Sequence, residues 1–273
     1  MPELARIARS GLTYWSTPVG VAGDTRSGIV VAFTERGGGV SAAPFSSLNL
    51  AAHVGDDPGA VDENRTRLLE ALDLASCRET LTMAEQVHGD NIALIDETNA
   101  GSGARASGGA GPVTATDALM TVTPGVPLML CFADCVPVVL IAPGPAIAVV
   151  HAGWRGALAG LAGKAVRSLA QHADCDAAEI RAFIGPHIRA CHYEVDATLL
   201  SHFINTFGTF ARAGSGGLDL EAVILRSLTD AGVAPWRTTS LGACTAEATD
   251  RFFSYRAEGA QTGRHGALAC IVP

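Results

Sequence analysis

Along the chain, short unbroken apolar runs that stop at glycine or polar turns alternate with longer segments whose apolar residues recur at helical spacing. Residues 29–33 form the first run, stopped by Thr34-Glu35-Arg36 and a triple glycine that requires a loop. A helix is signalled from Asp57: an N-cap Asp, Pro58 at the first helical position, then Val61, Leu68, Leu69 and Leu72 on one face, with Asn64 and Arg65 elsewhere on its surface. Residues 91–96 read as a strand, and residues 99–112, rich in Gly, Ala and Ser, as a mobile surface loop. Residues 128–132 and 136–141 read as buried strands separated by the turn Ala133-Asp134-Cys135. A third run, 146–150, ends at His151, and Gly153-Trp154-Arg155-Gly156 leads into a helix carrying Leu158, Leu161, Val166 and Leu169. Residues 180–184 repeat the strand pattern before Gly185-Pro186-His187. Further on, 218–231 read as a helix, and 252–255 and 267–272 as strands. No internal repeat of fixed period is present.

Composition narrows the class. The 273 residues are 48% hydrophobic with a mean hydropathy of +0.27, enough to bury a large core, and the length by itself fits one domain or two. A formal charge of −8 argues against a nucleic-acid partner bound through phosphate neutralisation. No apolar stretch approaches the roughly 18 residues of a spanning helix, so no membrane partner is expected. The stretch from Met1 to Tyr14 lacks a signal-peptide core, which predicts a cytoplasmic protein. Seven cysteines, an odd number, are scattered along the chain and read as reduced thiols, most of them small buried hydrophobes.

Three residues able to bind a borderline cation stand at the ends of predicted elements: His88, Cys135 and His151. Two imidazoles and a thiolate suit zinc, and three protein ligands leave a fourth position for water or substrate. Their separations match no compact zinc motif. The same residues also fit a metal-free reading in which Cys135 is a nucleophile and His88 or His151 its base.

The motifs Ser47-Leu48-Asn49-Leu50, His53-Val54-Gly55-Asp56-Asp57, Asn64-Arg65, Gln86-Val87-His88-Gly89, Thr116-Asp117-Ala118-Leu119, Ala133-Asp134-Cys135-Val136-Pro137-Val138, His151-Ala152-Gly153-Trp154-Arg155-Gly156 and Ile184-Gly185-Pro186 occur in that order. In this the chain resembles, from about residue 33 to 263, the family named variously laccase-domain protein, polyphenol oxidase, peptidoglycan editing factor and purine nucleoside phosphorylase. The resemblance implies one catalytic domain over residues 1–273, folded as an α/β/β/α sandwich related to bacterial toxin deamidases that use a Cys and a His. It further implies zinc on His88, Cys135 and His151. The implied activities are phosphorolysis of adenosine, inosine, guanosine and methylthioadenosine, with hydrolytic deamination of adenosine. Cys244-Thr245 and Phe252-Phe253-Ser254-Tyr255-Arg256 also resemble the family, although Ala246 stands where an aromatic is usual.

Roles follow as expectations. Zinc-activated water would serve deamination, with Asp134 shuttling the proton; Asp134 equally fits a turn-former or a group that orients a metal-bound histidine. Arg155, after a glycine at a helix start, is the candidate for phosphate, with Arg65 and Arg36 fainter. Asn49 and Asn64 are candidates for ribose or base, or for fixing loops. His53, His187 and His192 could reach the site, though a structural role is the default for each. Cys131 is expected on the same strand face as Cys135, close enough to form a disulfide if exposed. The expected partners are a purine nucleoside and inorganic phosphate, and the chain a monomer or homodimer. Competing functions are a cysteine amidase or deamidase acting on peptidoglycan precursors, and a nucleotide-sensing protein using the same pocket. A multicopper laccase fails on inventory, since eight histidines include no His-x-His pair; a single copper in a His2Cys site could still oxidise phenols.

Overall fold

The computed structural model describes residues 4–17, 28–214 and 216–272; residues 1–3 of the N-terminal stretch considered above lie outside them. The chain begins with a hairpin, β1 (Ala5–Arg9) and β2 (Leu12–Ser16), continues as β3 (Ile29–Thr34), and enters α1 (Pro58–Ala71), where the Asp57 side chain caps the N–H of Ala60. Next come β4 (Thr82–Met83), β5 (Ile92–Ile95), β6 (Ala118–Thr121), β7 (Leu128–Phe132), β8 (Val136–Ala142) and β9 (Ala146–Ala152). The helical stretch after β9 is split into α2 (Trp154–Leu158) and α3 (Leu161–Ala173), because Gly160 adopts φ +72° and breaks the helical path. The remainder is β10 (Arg181–Ile184), α4 (Ala197–Phe207), α5 (Leu220–Asp230), β11 (Thr238–Ser240), α6 (Tyr255–Glu258) and β12 (His265–Ile271).

Two six-stranded sheets result, in the orders β1-β2-β3-β12-β7-β4 and β11-β10-β8-β9-β6-β5, with antiparallel ladders except at β4–β7, β5–β6 and β10–β11. The central strands are buried along their whole length, as their unbroken apolar runs require. One apolar layer lies between the sheets, built from residues such as Phe33, Leu130, Phe132, Val139, Val149 and Phe183. A second lies under α1, where Leu68 and Leu69 meet Leu50, Met129 and Leu268. A third lies under α3 and α5, where Leu161, Val166 and Ile224 meet Val138, Leu140 and Ala148. The order is therefore α/β/β/α.

Some expectations are corrected. Residues 252–254 form no strand: Phe252 and Phe253 are buried in a turn, and the Ser254 hydroxyl accepts the N–H of Ala257 to start α6. Cys131 and Cys135 share no strand face. Cys131 lies in β7 of the first sheet, whereas Cys135 lies beyond the turn where the chain crosses to β8 of the second. Asn64 and Arg65 are not on the outer surface of α1 but buried, at 0% and 3% exposure. Residues 99–112 form an irregular loop held at its middle: Arg65 donates to the carbonyls of Gly103 and Ala104, and Arg78 also donates to Ala104.

Candidate metal centre

The crossing between sheets creates the site. Asp134, in the crossing turn, has φ +91°, and Cys135 follows it as the last residue before β8. His151 is the penultimate residue of the adjacent strand β9, opposite Pro137. His88 comes from the loop before β5 and also has a positive φ, +60°. Its strained conformation is held by a single carboxylate, since Asp117 accepts the N–H groups of Val87 at 3.2 Å, His88 at 3.0 Å and Gly89 at 2.6 Å. The same Asp117 contacts His151 Nδ1 at 2.8 Å, leaving Nε2 to face the other donors. One buried Asp thus fixes the loop of one histidine and the ring of the other.

Donor atoms of His88, Cys135 and His151 lie within 4.8 Å of one another, and the two imidazole rings meet edge to face at 4.9 Å. Gly153 closes the cradle: a Cβ there would stand 3.0 Å from both Cys135 Sγ and His88 Cδ2. Electrostatics favour an ionised thiol. Burial pushes the Cys135 pKa up, but His151 and His88 outweigh it and bring it to about 6. Burial pushes His151 down, but Cys135 and Asp117 carry it up to about 9. Asp117 is disfavoured by burial, yet the hydrogen bonds from His151, Gly89 and Val87 hold it below the ordinary carboxylate value. A thiolate and two imidazoles, one oriented by a carboxylate, are the chemistry of a zinc-type donor set, so the residues present fit the metal.

Above these donors opens a cavity of about 510 Å³, whose wall includes Trp154, Arg155, Tyr193 and Arg256. The lining also includes His53, Gln86, Cys131 and Arg264. The Arg155 guanidinium lies 4.3 Å over the Trp154 ring, and no carboxylate among the described residues pairs with it. Arg256, by contrast, donates to the carbonyls of His192 and Glu194. Gln86 is locked onto the backbone of Cys131 by two hydrogen bonds of 2.9 Å. Burial above all, together with the Cys135 charge, raises the Tyr193 hydroxyl to about 12. Burial and the Arg264 charge lower the pKa of His53.

The structure therefore brings together His88, Cys135, His151 and Arg155, with His53 also in the lining. Asp134 lines the cavity, but its carboxylate is committed: Oδ1 accepts the hydroxyls of Thr245 and Ser254 at 2.7 Å, and Oδ2 accepts the Arg256 N–H at 2.6 Å. It ties three segments, and the histidine-orienting role belongs to Asp117. Asn49, Asn64 and Arg65 do not line the cavity. The Asn49 amide bonds Asp56, Ala51 and the Arg264 N–H. Asn64 donates to Ser41, Ser47 and Asn49 and accepts from Val40, and Arg65 donates to Leu50, Gly103 and Ala104. Arg36 pairs with Glu258, and His187 is wholly buried with Nδ1 against the Gly185 carbonyl. The residues to which sequence reasoning gave no role are Tyr193, Arg264, and above all Asp117, whose signals were its place in the Thr116-Asp117-Ala118-Leu119 motif and directly before an apolar run.

Residues 30–272 match the family described as multi-copper polyphenol oxidoreductase laccase. The chain belongs to this family. Relatives named purine nucleoside phosphorylase share its sequence across most of their length. One from Corynebacterium glutamicum is 38% identical over 88% of this chain and 93% of its own, and one from Pseudomonas aeruginosa is 35% identical over 87% and 91%. Among solved structures, YlmD from Geobacillus stearothermophilus superposes with a TM-score of 0.87 at 33% identity, covering 100% of both chains. The Bacillus licheniformis protein YfiH superposes with a TM-score of 0.81 at 32% identity, covering 89% of this chain and 92% of that one. Family membership thus spans the sandwich and the crossing turn alike. No helix among the described residues is long and apolar enough to cross a membrane.

Proposed function

We propose that this member of the family is a zinc-dependent purine nucleoside enzyme that cleaves nucleosides by phosphorolysis to the free base and ribose 1-phosphate, with hydrolytic deamination of adenosine as a second activity. The observation that carries the reading is the convergence of His88, Cys135 and His151, oriented by Asp117, at the floor of a cavity whose wall holds the carboxylate-free Arg155. Relatives named purine nucleoside phosphorylase support it. His88, Cys135 and His151 would hold zinc, which when bound supplies a Lewis acid and lowers the pKa of a coordinated water or hydroxyl.

The remaining work falls to the chain's own groups. Arg155 binds phosphate by charge-assisted hydrogen bonds, its orientation set by stacking on Trp154. A phosphate oxygen then forms a bond to the ribose anomeric carbon while the glycosidic bond breaks, and the departing purine takes the electron pair and needs a proton on a ring nitrogen. Tyr193, whose hydroxyl stays protonated at neutral pH, is the acid the cavity offers, while His53, its pKa lowered, is uncharged there and offers only a neutral N–H for hydrogen bonding. Trp154 and Tyr255 supply flat surfaces for a purine. The cavity favours phosphorolysis over deamination, because the carboxylate expected to shuttle the proton, Asp134, already accepts three hydrogen bonds.

A second reading is favoured by one observation, the charged pair formed by the Cys135 thiolate and the His151 imidazolium. Without metal this pair would act as nucleophile and acid in a cysteine amidase. Incubation with adenosine, with and without phosphate and beside Cys135→Ala, separates the readings when adenine, inosine and hypoxanthine are resolved by chromatography. Phosphate-dependent adenine that vanishes in the variant is expected. Intact nucleoside in both arms, with zinc present, would sink the nucleoside reading and favour the amidase.

A further inference from the structure

A second group of soft donors lies outside the cavity, behind the wall that carries Tyr193. After β10 the chain turns at residues 189–192, where the His192 N–H bonds the Arg189 carbonyl. The segment 243–245 runs beside His187, joined by His187 N–H to the Ala243 carbonyl and Thr245 N–H to the His187 carbonyl. This pairing brings Cys191, His192, Cys244 and Glu247 together, with one donor atom from each lying within 4.8 Å of the others.

The spacing is that of a coordination sphere. His192 Nδ1 stands 3.1 Å from Cys191 Sγ and 3.6 Å from Cys244 Sγ. Bonds of about 2.3 Å to sulfur and 2.0 Å to nitrogen at a tetrahedral angle place S and N about 3.5 Å apart. Both thiols are free. The Arg189 backbone N–H points at Cys244 Sγ from 3.4 Å. Arg189's guanidinium is turned to Glu221 at 3.0 Å, which limits its competition with a cation. Cys244 is buried, while Cys191, His192 and Glu247 are exposed beside a hollow of about 300 Å³, so an ion has access.

We propose that Cys191, His192, Cys244 and Glu247 form a second zinc site, structural in role, that clips the segment bearing Tyr193 to the segment bearing Thr245. Two thiolates, one imidazole and one carboxylate close a four-coordinate sphere, and binding releases the two thiol protons to solvent without any redox step. The clip reaches the first site from outside. Tyr193 directly follows His192 and lines the cavity, and Thr245 directly follows Cys244 and hydrogen-bonds Asp134, the neighbour of Cys135.

The test is a cobalt(II) titration of the full-length Cys135→Ala chain, kept reduced with a phosphine. With Cys135 gone, the first site offers only imidazoles, so sulfur-to-cobalt charge transfer reports the second site whether or not the nucleoside reading holds. The expected result is one equivalent of cobalt with a thiolate charge-transfer band. Adding Cys191→Ser should cut the band by about half and weaken binding on the order of tenfold or more. Adding His192→Ala instead should weaken binding similarly while keeping both thiolate contributions; this exposed position serves if variants at buried Cys244 do not fold. No band in Cys135→Ala, or a band indifferent to both added changes, overturns the proposal.

Discussion

Two buried polar clusters of this molecule look alike in sequence and differ in what they leave over. Around α1, Asn49, Asn64 and Arg65 are buried, and both amides, with Nε and Nη1 of Arg65, are answered by backbone or by a neighbouring side chain. At the crossing between sheets, Asp117, His88, Cys135 and His151 are partly satisfied, but the thiolate and the free imidazole nitrogens converge on one point at the foot of a cavity. The first cluster is answered largely from within; the second gathers the donors of a candidate metal site beside the cavity. Unused donor capacity facing a cavity, and not burial or residue type, is what separates a binding site from a loop anchor.

The comparison breaks most sharply at Cys135. Cys135→Ala should lower phosphorolysis by roughly 10³-fold or more and abolish zinc retention at this site, with the thermal midpoint little changed. Retained activity in metal-quantified protein would remove the site from the chemistry. Asn64→Ala should do the reverse. It leaves the Val40 N–H and the Asn49 carbonyl without their partners and removes one of the two bonds to the Ser47 carbonyl, which still accepts the Ser41 N–H, at a cost of about 2 kcal/mol in urea unfolding, with kcat of the folded fraction unchanged. A selective rise in nucleoside KM would instead restore Asn64 as a substrate-binding group.

Asp117→Asn sharpens the contrast, because Asp117 serves both purposes. The amide cannot match the carboxylate against both the His151 ring and three N–H groups, so zinc affinity should fall about 10- to 100-fold by competition with a chelator. Arg155→Met should raise the KM for phosphate on the order of tenfold with the KM for nucleoside nearly unmoved, since its guanidinium lies over Trp154 with no carboxylate partner and the methionine keeps apolar bulk beside the ring. Equal changes in both constants would assign Arg155 to the wall and not to phosphate.

Much of this was legible from the chain. The unbroken apolar runs of β3, β7, β8, β9, β10 and β12 announce buried strands, and Asp57-Pro58 announces α1. The hairpin β1–β2 was not, because β1 is an edge strand whose residues are almost all exposed and so shows no apolar periodicity. Residues 252–255 read as a strand because Phe-Phe-Ser-Tyr favours β structure locally; burial of both phenylalanines in a turn and the Ser254 cap decide otherwise. His88, Cys135 and His151 stood out by side-chain chemistry at element ends. Asp117 did not, since its role arises from N–H groups that reach it across almost thirty residues of chain. Asn49 and Asn64 carried two readings, ligand or loop, for the converse reason: polar residues in a motif look the same whichever they answer.

Glu35 offers the smallest and cleanest test of the self-satisfied class. It follows β3, is 5% exposed, and accepts from Arg6, Arg251 and Trp15. Burial opposes its ionisation, but hydrogen bonds and charge from Arg6 and Arg251 outweigh burial and hold its pKa at about 2. An unfolded Glu titrates near pH ~4.3. Because the folded value lies below the unfolded one, the stabilisation is complete above about pH 4.3 and is lost as pH falls toward about 2. Both arginines are partly exposed, so solvent screening limits it to about 1–2 kcal/mol. Glu35→Gln should therefore be less stable than the parent at pH 6, by the same margin at pH 5, and converge with it as the pH approaches 2. An offset that stays constant down to pH 2.5 in urea unfolding would mean that the residue contributes through shape and neutral hydrogen bonds, and that its charge is idle.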